Sequence, residues 1–315
     1  MLNLAPQLGS NRLYIKRDDC TGLATGGNKT RKLEFLIAEA LQQGADMVIT
    51  QGAVQSNHVR QTAAAAAFVG LGCEAILEER VQGAKPEYHH SGNVMLDHLF
   101  GIPLHRVPGG TAMDVALEEL AARLRAQGRK PYVIPGGGSN PLGALGYVDC
   151  VLELQRQCEQ MGLRKPHLVL ATGSAGTQAG LVAGVHALGL GWPITGIGVR
   201  AAREQQEARV FDLACRVLKM LGVQEALPRE RVMADDRFIG EGYGIPTESM
   251  IAAVTLLARK EGILADPVYT GKGLAGLFAR VRAGNFQPDE DVIFLHTGGS
   301  AGLFGYTSAF EKQAA

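Results

Sequence analysis

The chain has 315 residues, and its 31 Lys and Arg are balanced by 31 Asp and Glu. That balance excludes the cationic excess with which nucleic-acid binders displace counterions from phosphates. Apolar residues make up 46% and charged residues 20%, which excludes a disordered chain and provides core for two domains.

In chain order, short apolar or β-branched runs read as strands at 12–16, 47–50, 74–77, 103–107, 132–134, 167–171, 194–199 and 292–296. Between them, segments 30–43, 113–127, 142–160, 176–188, 205–221 and 248–261 carry apolar residues at helical period. Ala63 to Ala67 reads as a tightly packed helix face. Alternation of this kind predicts an α/β fold of parallel or mixed sheets covered by helices, with chemistry in the loops at the carboxyl ends of strands. Glycine, at 41 residues against a usual share of about 7%, marks many turns that hug strands or ligands. The glycine-rich run 136–146 reads as a crossing between domains, with Pro141 opening a helix.

Five scattered cysteines without a C-x-x-C pair indicate neither a zinc site nor a disulfide framework, and no metal is expected. A reducing cytoplasm fits this usage, and the N-terminus carries no visible secretory signal. Residues 167–199 hold no formal charge over 33 positions, but eight glycines among them favour the buried heart of an α/β domain over a membrane span.

Two familiar motifs fail on inspection. Gly22 to Thr30 resembles a phosphate-binding P-loop, yet Asn28 separates the glycine from Lys29 and no strand runs into the loop. Gly298-Gly-Ser-Ala-Gly302 matches a hydrolase elbow, yet no histidine follows Ser300. Two other strand-to-helix junctions are more informative. Gly173, Ser174, Ala175, Gly176 and Thr177 read equally as a cradle for a phosphate or as a tight strand-to-helix turn with no ligand; as a cradle, with no neighbouring Lys or Arg in the sequence, it would hold the phosphate by dipoles. Ser56, Asn57 and His58 open a second helix where a carboxylate would be held, although Ser56 or Asn57 serves equally as a plain helix cap. Lys29, beside Arg31 and Lys32 at a helix start, opposes the helix dipole; neighbouring positive charge lowers an amine's pKa as imine chemistry requires, while a solvated basic face is the simpler alternative.

Taken together, Ile15-Lys-Arg-Asp-Asp19, Gly26-Gly-Asn-Lys-Thr-Arg-Lys-Leu-Glu-Phe35, Gln55-Ser-Asn-His58, Gly173 to Thr177, Asp266-Pro-Val-Tyr-Thr-Gly-Lys272 and His296-Thr-Gly-Gly299 resemble the fold type II, tryptophan-synthase-β-like pyridoxal-phosphate enzymes. The likeness spans the chain from Arg12 onward and points to the branch of aminocyclopropane-carboxylate deaminase, D-cysteine desulfhydrase and L-cysteate sulfo-lyase. It implies a large domain of residues 1–34 and 143–315 and a small inserted domain of residues 35–142. Relatives carry a longer segment before the Ile-Lys-Arg-Asp-Asp strand.

The resemblance further implies pyridoxal 5'-phosphate carried covalently by Lys29, its phosphate on Gly173 to Thr177, Asn57 near its ring hydroxyl, Thr297 at its pyridine nitrogen and Tyr269 against its ring. Ser56, Asn57 and His58 would receive the substrate carboxylate, Tyr243 would lie near the substrate, and Lys29 would remove the α-proton. Thr270 stands where deaminases carry Glu, which disfavours ring opening. The expected reaction is a β-elimination giving pyruvate and ammonia, with L-cysteate as preferred substrate and D-cysteine as the alternative; Arg200 reads as a counter-ion for the sulfonate or as a surface ion pair, and a deaminase or a non-catalytic amino-acid-binding protein is less favoured. A homodimer taking a small amino acid, with no membrane or nucleic-acid partner, completes the expectation.

Overall fold

The computed structural model describes residues 1–9, 12–164 and 166–311. Its strands form two sheets, both parallel throughout. The five-stranded sheet has the order β1 (Leu13–Arg17), β9 (Val292–His296), β6 (His167–Thr172), β7 (Ile194–Gly198) and β8 (Met233–Asp235). The four-stranded sheet has the order β4 (Leu104–Pro108), β3 (Gly72–Glu79), β2 (Met47–Ala53) and β5 (Pro131–Val133). The expectation of parallel sheets is met, and each predicted strand is present with ends shifted by a few residues.

Helices α1 (Lys29–Gln42), α2 (Asn57–Val69), α3 (Pro86–His90), α4 (Gly92–Leu99) and α5 (Met113–Ala126) fall in the first part of the chain. They are followed by α6 (Pro141–Met161), α7 (Gly176–Ala187), α8 (Arg203–Met220), α9 (Glu248–Glu261) and α10 (Thr270–Arg282). As expected, Pro141 opens α6, with the Asn140 side chain accepting from the Gly143 amide. The uncharged stretch at 167–199 is β6, α7 and β7, and all of α7 through Val185 is buried. No helix among the described residues is long and apolar enough to cross a membrane.

Sequence reading missed β8, α3, α4 and α10. Helix α10 hides because Gly271, Gly273 and Gly276 lower its intrinsic propensity. Packing is the reason for those glycines: a Cβ at Gly276 would lie 2.8 Å from Ile197, and one at Gly273 would lie 3.2 Å from Ala171. The helix thus lies close on the five-stranded sheet, with Leu274, Leu277 and Phe278 in the apolar layer against Phe294. That close approach sets Tyr269 and Lys272, at the head of α10, beside the strand ends.

Candidate active site

The expected site residues converge where the carboxyl ends of β2, β6, β7 and β9 meet the start of α1. Two adjoining spaces lie there. The narrower, of about 400 Å³, is lined by the 173–177 loop with Asn28, Lys29, Asn57, Tyr269 and Thr297. The wider, of about 1320 Å³, is a cleft shared by both sheets, reached by Ser56, His58, Tyr243 and Arg200. Lys29 and Tyr269 border both.

Lys29 is itself the first residue of α1, one position before the predicted start. Its Nζ donates to Asn28 Oδ1 at 2.9 Å and stands 6.0 Å from the centroid of the Tyr269 ring. Burial, reinforced by the charge of Arg60 and opposed by Asp266, lowers the amine to about 8. The expected cause is therefore corrected. Arg31 is neutralised by Asp18 and Glu153 at 2.9 and 2.7 Å, so the second positive charge acting on Lys29 comes from Arg60 on α2.

The phosphate loop needs a similar correction. Ser174 and Thr177 border the narrow space, but the loop does not lack a basic side chain. A Cβ at Gly176 would lie 2.7 Å from Lys32 Nζ and 2.6 Å from Ser139 Oγ, so the amine of Lys32, one turn along α1 from Lys29, stands directly behind the cradle; burial, reinforced by the charge of Lys29, holds it well below the ordinary lysine range. Lys32 donates to Gly137 O at 3.0 Å and Ser139 Oγ at 3.3 Å, while Ser139 Oγ donates to Ser174 Oγ at 2.9 Å and accepts from the Gly176 amide. Ala175 holds a left-handed φ of 73° at the head of α7, a strained backbone at the point where the loop turns. Asn28, which spoiled the P-loop match, bonds Thr177 Oγ1 through its Nδ2 at 2.9 Å and joins the cradle to the lysine.

Of the carboxylate-binding trio, Ser56 Oγ accepts from the Val59 amide at 3.2 Å and caps α2 while lining the cleft. Asn57 Oδ1 accepts from Asn93 Nδ2 at 2.8 Å, which leaves the Asn57 amide nitrogen as a donor. His58 is buried against Thr50, with Nε2 at 2.8 Å from the hydroxyl, and burial beside two lysines holds the ring neutral. It contributes shape rather than positive charge at the cleft edge. Tyr243 and Tyr269 meet at 2.9 Å between hydroxyls with their rings edge to face.

Several residues were not singled out from sequence. Asp266 accepts from the amides of Val268, Tyr269 and Thr270 and from the Thr270 hydroxyl, at 2.6 to 3.0 Å, and so orients the head of α10. Thr270 is spent on this cap. Arg80 pairs with Glu78 and lies over the Tyr243 ring at 5.4 Å. Lys272, fully buried, donates to Ile239 O and Gly242 O at 2.6 and 2.8 Å and pins the segment that delivers Tyr243. A cation in the first turn of a helix was the one available signal for Lys272; nothing local marks the others.

Donors for a dianion border the narrow space: the first-turn amides of α7, the hydroxyls of Ser174 and Thr177, and Lys32 behind them. The same space is lined by a partly neutral amine, the Asn57 amide, the Thr297 side chain and the Tyr269 ring. A phosphorylated aromatic aldehyde fits that set, and fold and site together define a pyridoxal-phosphate enzyme of fold type II.

The comparisons agree. The family described as "Pyridoxal-phosphate dependent enzyme" matches residues 1–298. The chain is 46% identical over 303 residues to a D-cysteine desulfhydrase of Yersinia enterocolitica serotype O:8 / biotype 1B (strain NCTC 13174 / 8081), covering 96% of this chain and 91% of that one. A solved structure titled "Crystal Structure Analysis of the ACC deaminase homologue" superposes with a TM-score of 0.89 at 37% identity, over 98% of this chain and 91% of the other. This chain belongs to the pyridoxal-phosphate dependent enzyme family, in the branch of aminocyclopropane-carboxylate deaminase and D-cysteine desulfhydrase. Its cofactor is pyridoxal phosphate. The expected preference for L-cysteate is not favoured by these findings, since the named relative acts on D-cysteine.

Proposed function

We propose that this enzyme performs β-elimination on D-cysteine, releasing sulfide together with pyruvate and ammonia. The observation that carries the chemistry is Lys29: an amine lowered to about 8, placed where the phosphate cradle and the substrate cleft join. The choice of D-cysteine is supported by the 46% identical relative. Bound pyridoxal phosphate would supply the electron sink for the α-carbanion. Lys29 would bind the cofactor, then act as the base that takes the α-proton; the C–S bond breaks, the sulfur leaves with its electron pair, and the released enamine is hydrolysed by water to pyruvate and ammonia. Ser56 and Asn57 at the head of α2 would receive the carboxylate, with His58 shaping that edge. Gly173, Ser174, Ala175, Gly176 and Thr177, backed by Lys32, would hold the phosphate, and Thr297 would face the ring nitrogen. Tyr243 and Tyr269 would close on the substrate.

In this reading residues 35–142 form a small domain whose approach to the remainder excludes water from the cleft. A cytoplasmic homodimer remains part of the proposal; sedimentation velocity tests the dimer.

A second reading, sulfite release from L-cysteate, is favoured by Arg200. It lies two residues beyond β7 and lines the cleft, where its charge also acts on Glu78. Incubation with each amino acid, with sulfide, sulfite and pyruvate measured, decides: sulfide from D-cysteine with L-cysteate inert supports the first reading, and the reverse replaces it with the second.

A further inference from the structure

The largest side chain shut away from solvent is an arginine, Arg60, on the second turn of α2. Burying a guanidinium is costly unless its hydrogen bonds are met. Its partners are specific. Nη1 donates to Ala24 O at 2.5 Å and Gly26 O at 2.8 Å, and Nε donates to Asn93 Oδ1 at 3.2 Å. Nη2 has no partner, and the nearby carboxylate of Asp97 is likewise unpartnered.

The backbone that Arg60 grips is the segment leading into Lys29. Ala24, Thr25, Gly26 and Gly27 hold φ values of 45°, 67°, 70° and 132°, and the first two are not glycine. Four left-handed residues in succession are not a conformation that a free chain keeps. At Gly26 the space is closed as well, since a Cβ would lie 1.9 Å from Asp19 O. The next residue on α2 acts in the same direction: Gln61 Oε1 accepts from the amides of Lys29 and Thr30 at 3.1 and 3.2 Å, satisfying the first turn of α1. Arg60 also reaches the opposite side of the site. Asn93, held by Arg60 Nε, donates to Asn57 Oδ1.

We propose that Arg60 is a positioning residue for the lysine: one buried fork holds the strained Ala24–Gly27 run that aims Lys29 and, through Asn93, sets the side chain of Asn57. Its charge is also the second cause of the lowered pKa of Lys29. The proposal rests on Lys29 as the cofactor-binding lysine. Lys29→Ala tests that premise separately, because its failure leaves a normal visible band on adding pyridoxal phosphate.

The test compares Arg60→Lys and Arg60→Met with wild type, following uptake of pyridoxal phosphate by the apoprotein across pH, beside steady-state kinetics. Uptake does not depend on which amino acid is turned over. Arg60→Lys keeps the charge and loses the fork: the pH midpoint of uptake stays in place while kcat falls about 10²-fold, with KM for substrate changed far less. Arg60→Met loses both, and the midpoint also rises by about half a pH unit or more. Wild-type kcat and uptake in Arg60→Lys overturn the positioning role, and that variant decides the question even if Arg60→Met does not fold. A midpoint unmoved in folded Arg60→Met overturns the electrostatic part.

Discussion

Asn28 and Thr177, distant in sequence, are joined by a 2.9 Å hydrogen bond from the asparagine Nδ2 to the threonine hydroxyl. The same asparagine accepts from Lys29 Nζ through its Oδ1, so one buried amide links the Lys29 amine to the Gly173 to Thr177 loop. Replacing Asn28 with Ala removes both bonds. The expected result is cofactor affinity weaker by about tenfold, read by equilibrium dialysis, with a smaller fall in apoprotein stability. Unchanged affinity would show that the link is incidental.

Lys29→Ala should abolish the visible band of the loaded enzyme and lower turnover by at least about 10²–10⁴-fold, the range of a lost proton transfer alone. In the wild-type apoprotein the amine is lowered to about 8, so its neutral fraction grows as pH rises through that value. The rate of cofactor uptake should climb over the same interval and level off above it. Stopped-flow absorbance gives the profile; a flat profile from pH 6 to 10 contradicts the assignment.

Lys272→Met leaves two loop carbonyls, Ile239 O and Gly242 O, without their donor. A loss of about 1–3 kcal/mol is expected in denaturant titration. Because the released segment carries Tyr243, KM for the amino acid should rise more than kcat falls.

Asp97 is buried with neither carboxylate oxygen bonded, and burial raises it to about 8 against the pull of Arg60. Below an ordinary carboxylate value near 4 both folded and unfolded forms hold the proton. Between about 4 and about 8 only the folded form holds it, so this residue makes stability fall as pH rises across that window. Asp97→Asn should remove that slope and leave the variant the more stable at pH 8, as chemical denaturation across pH will show.

Arg200→Gln separates the two substrate readings. If D-cysteine is the substrate, kcat/KM should change less than about threefold, since an exposed cation facing a neutral thiol contributes little. Should L-cysteate prove to be turned over instead, losing the partner of a sulfonate should cost about tenfold or more.

Local pattern alone was enough for much of this molecule. The strands of both sheets except β8, and the helices at 113–127, 142–160 and 248–261, follow from apolar period, because burial on a parallel sheet demands it wherever the strand lies. For Lys29 and the Gly173 to Thr177 loop local pattern left the role open, and for Tyr269 it said nothing; their roles were expected from the family resemblance carried by the short runs in which they sit. Helix α10 was not legible, since its glycines answer to Ile197 and Ala171 across the packing interface.

What only the tertiary structure decided is which charges meet. Lys32 backs a loop 141 to 145 residues further along the chain, adding a buried amine, its charge disfavoured by burial and by Lys29, to an expected dipole cradle. Arg60, and not Arg31, is the neighbour that lowers Lys29, because Arg31 is already paired with Asp18 and Glu153. His58, read as a carboxylate ligand, is turned against Thr50 and held neutral. The physical reason is common to all three. Residue type and spacing set what a side chain can do, but burial and the partners brought by crossover connections set its charge, and neither is a property of the local run.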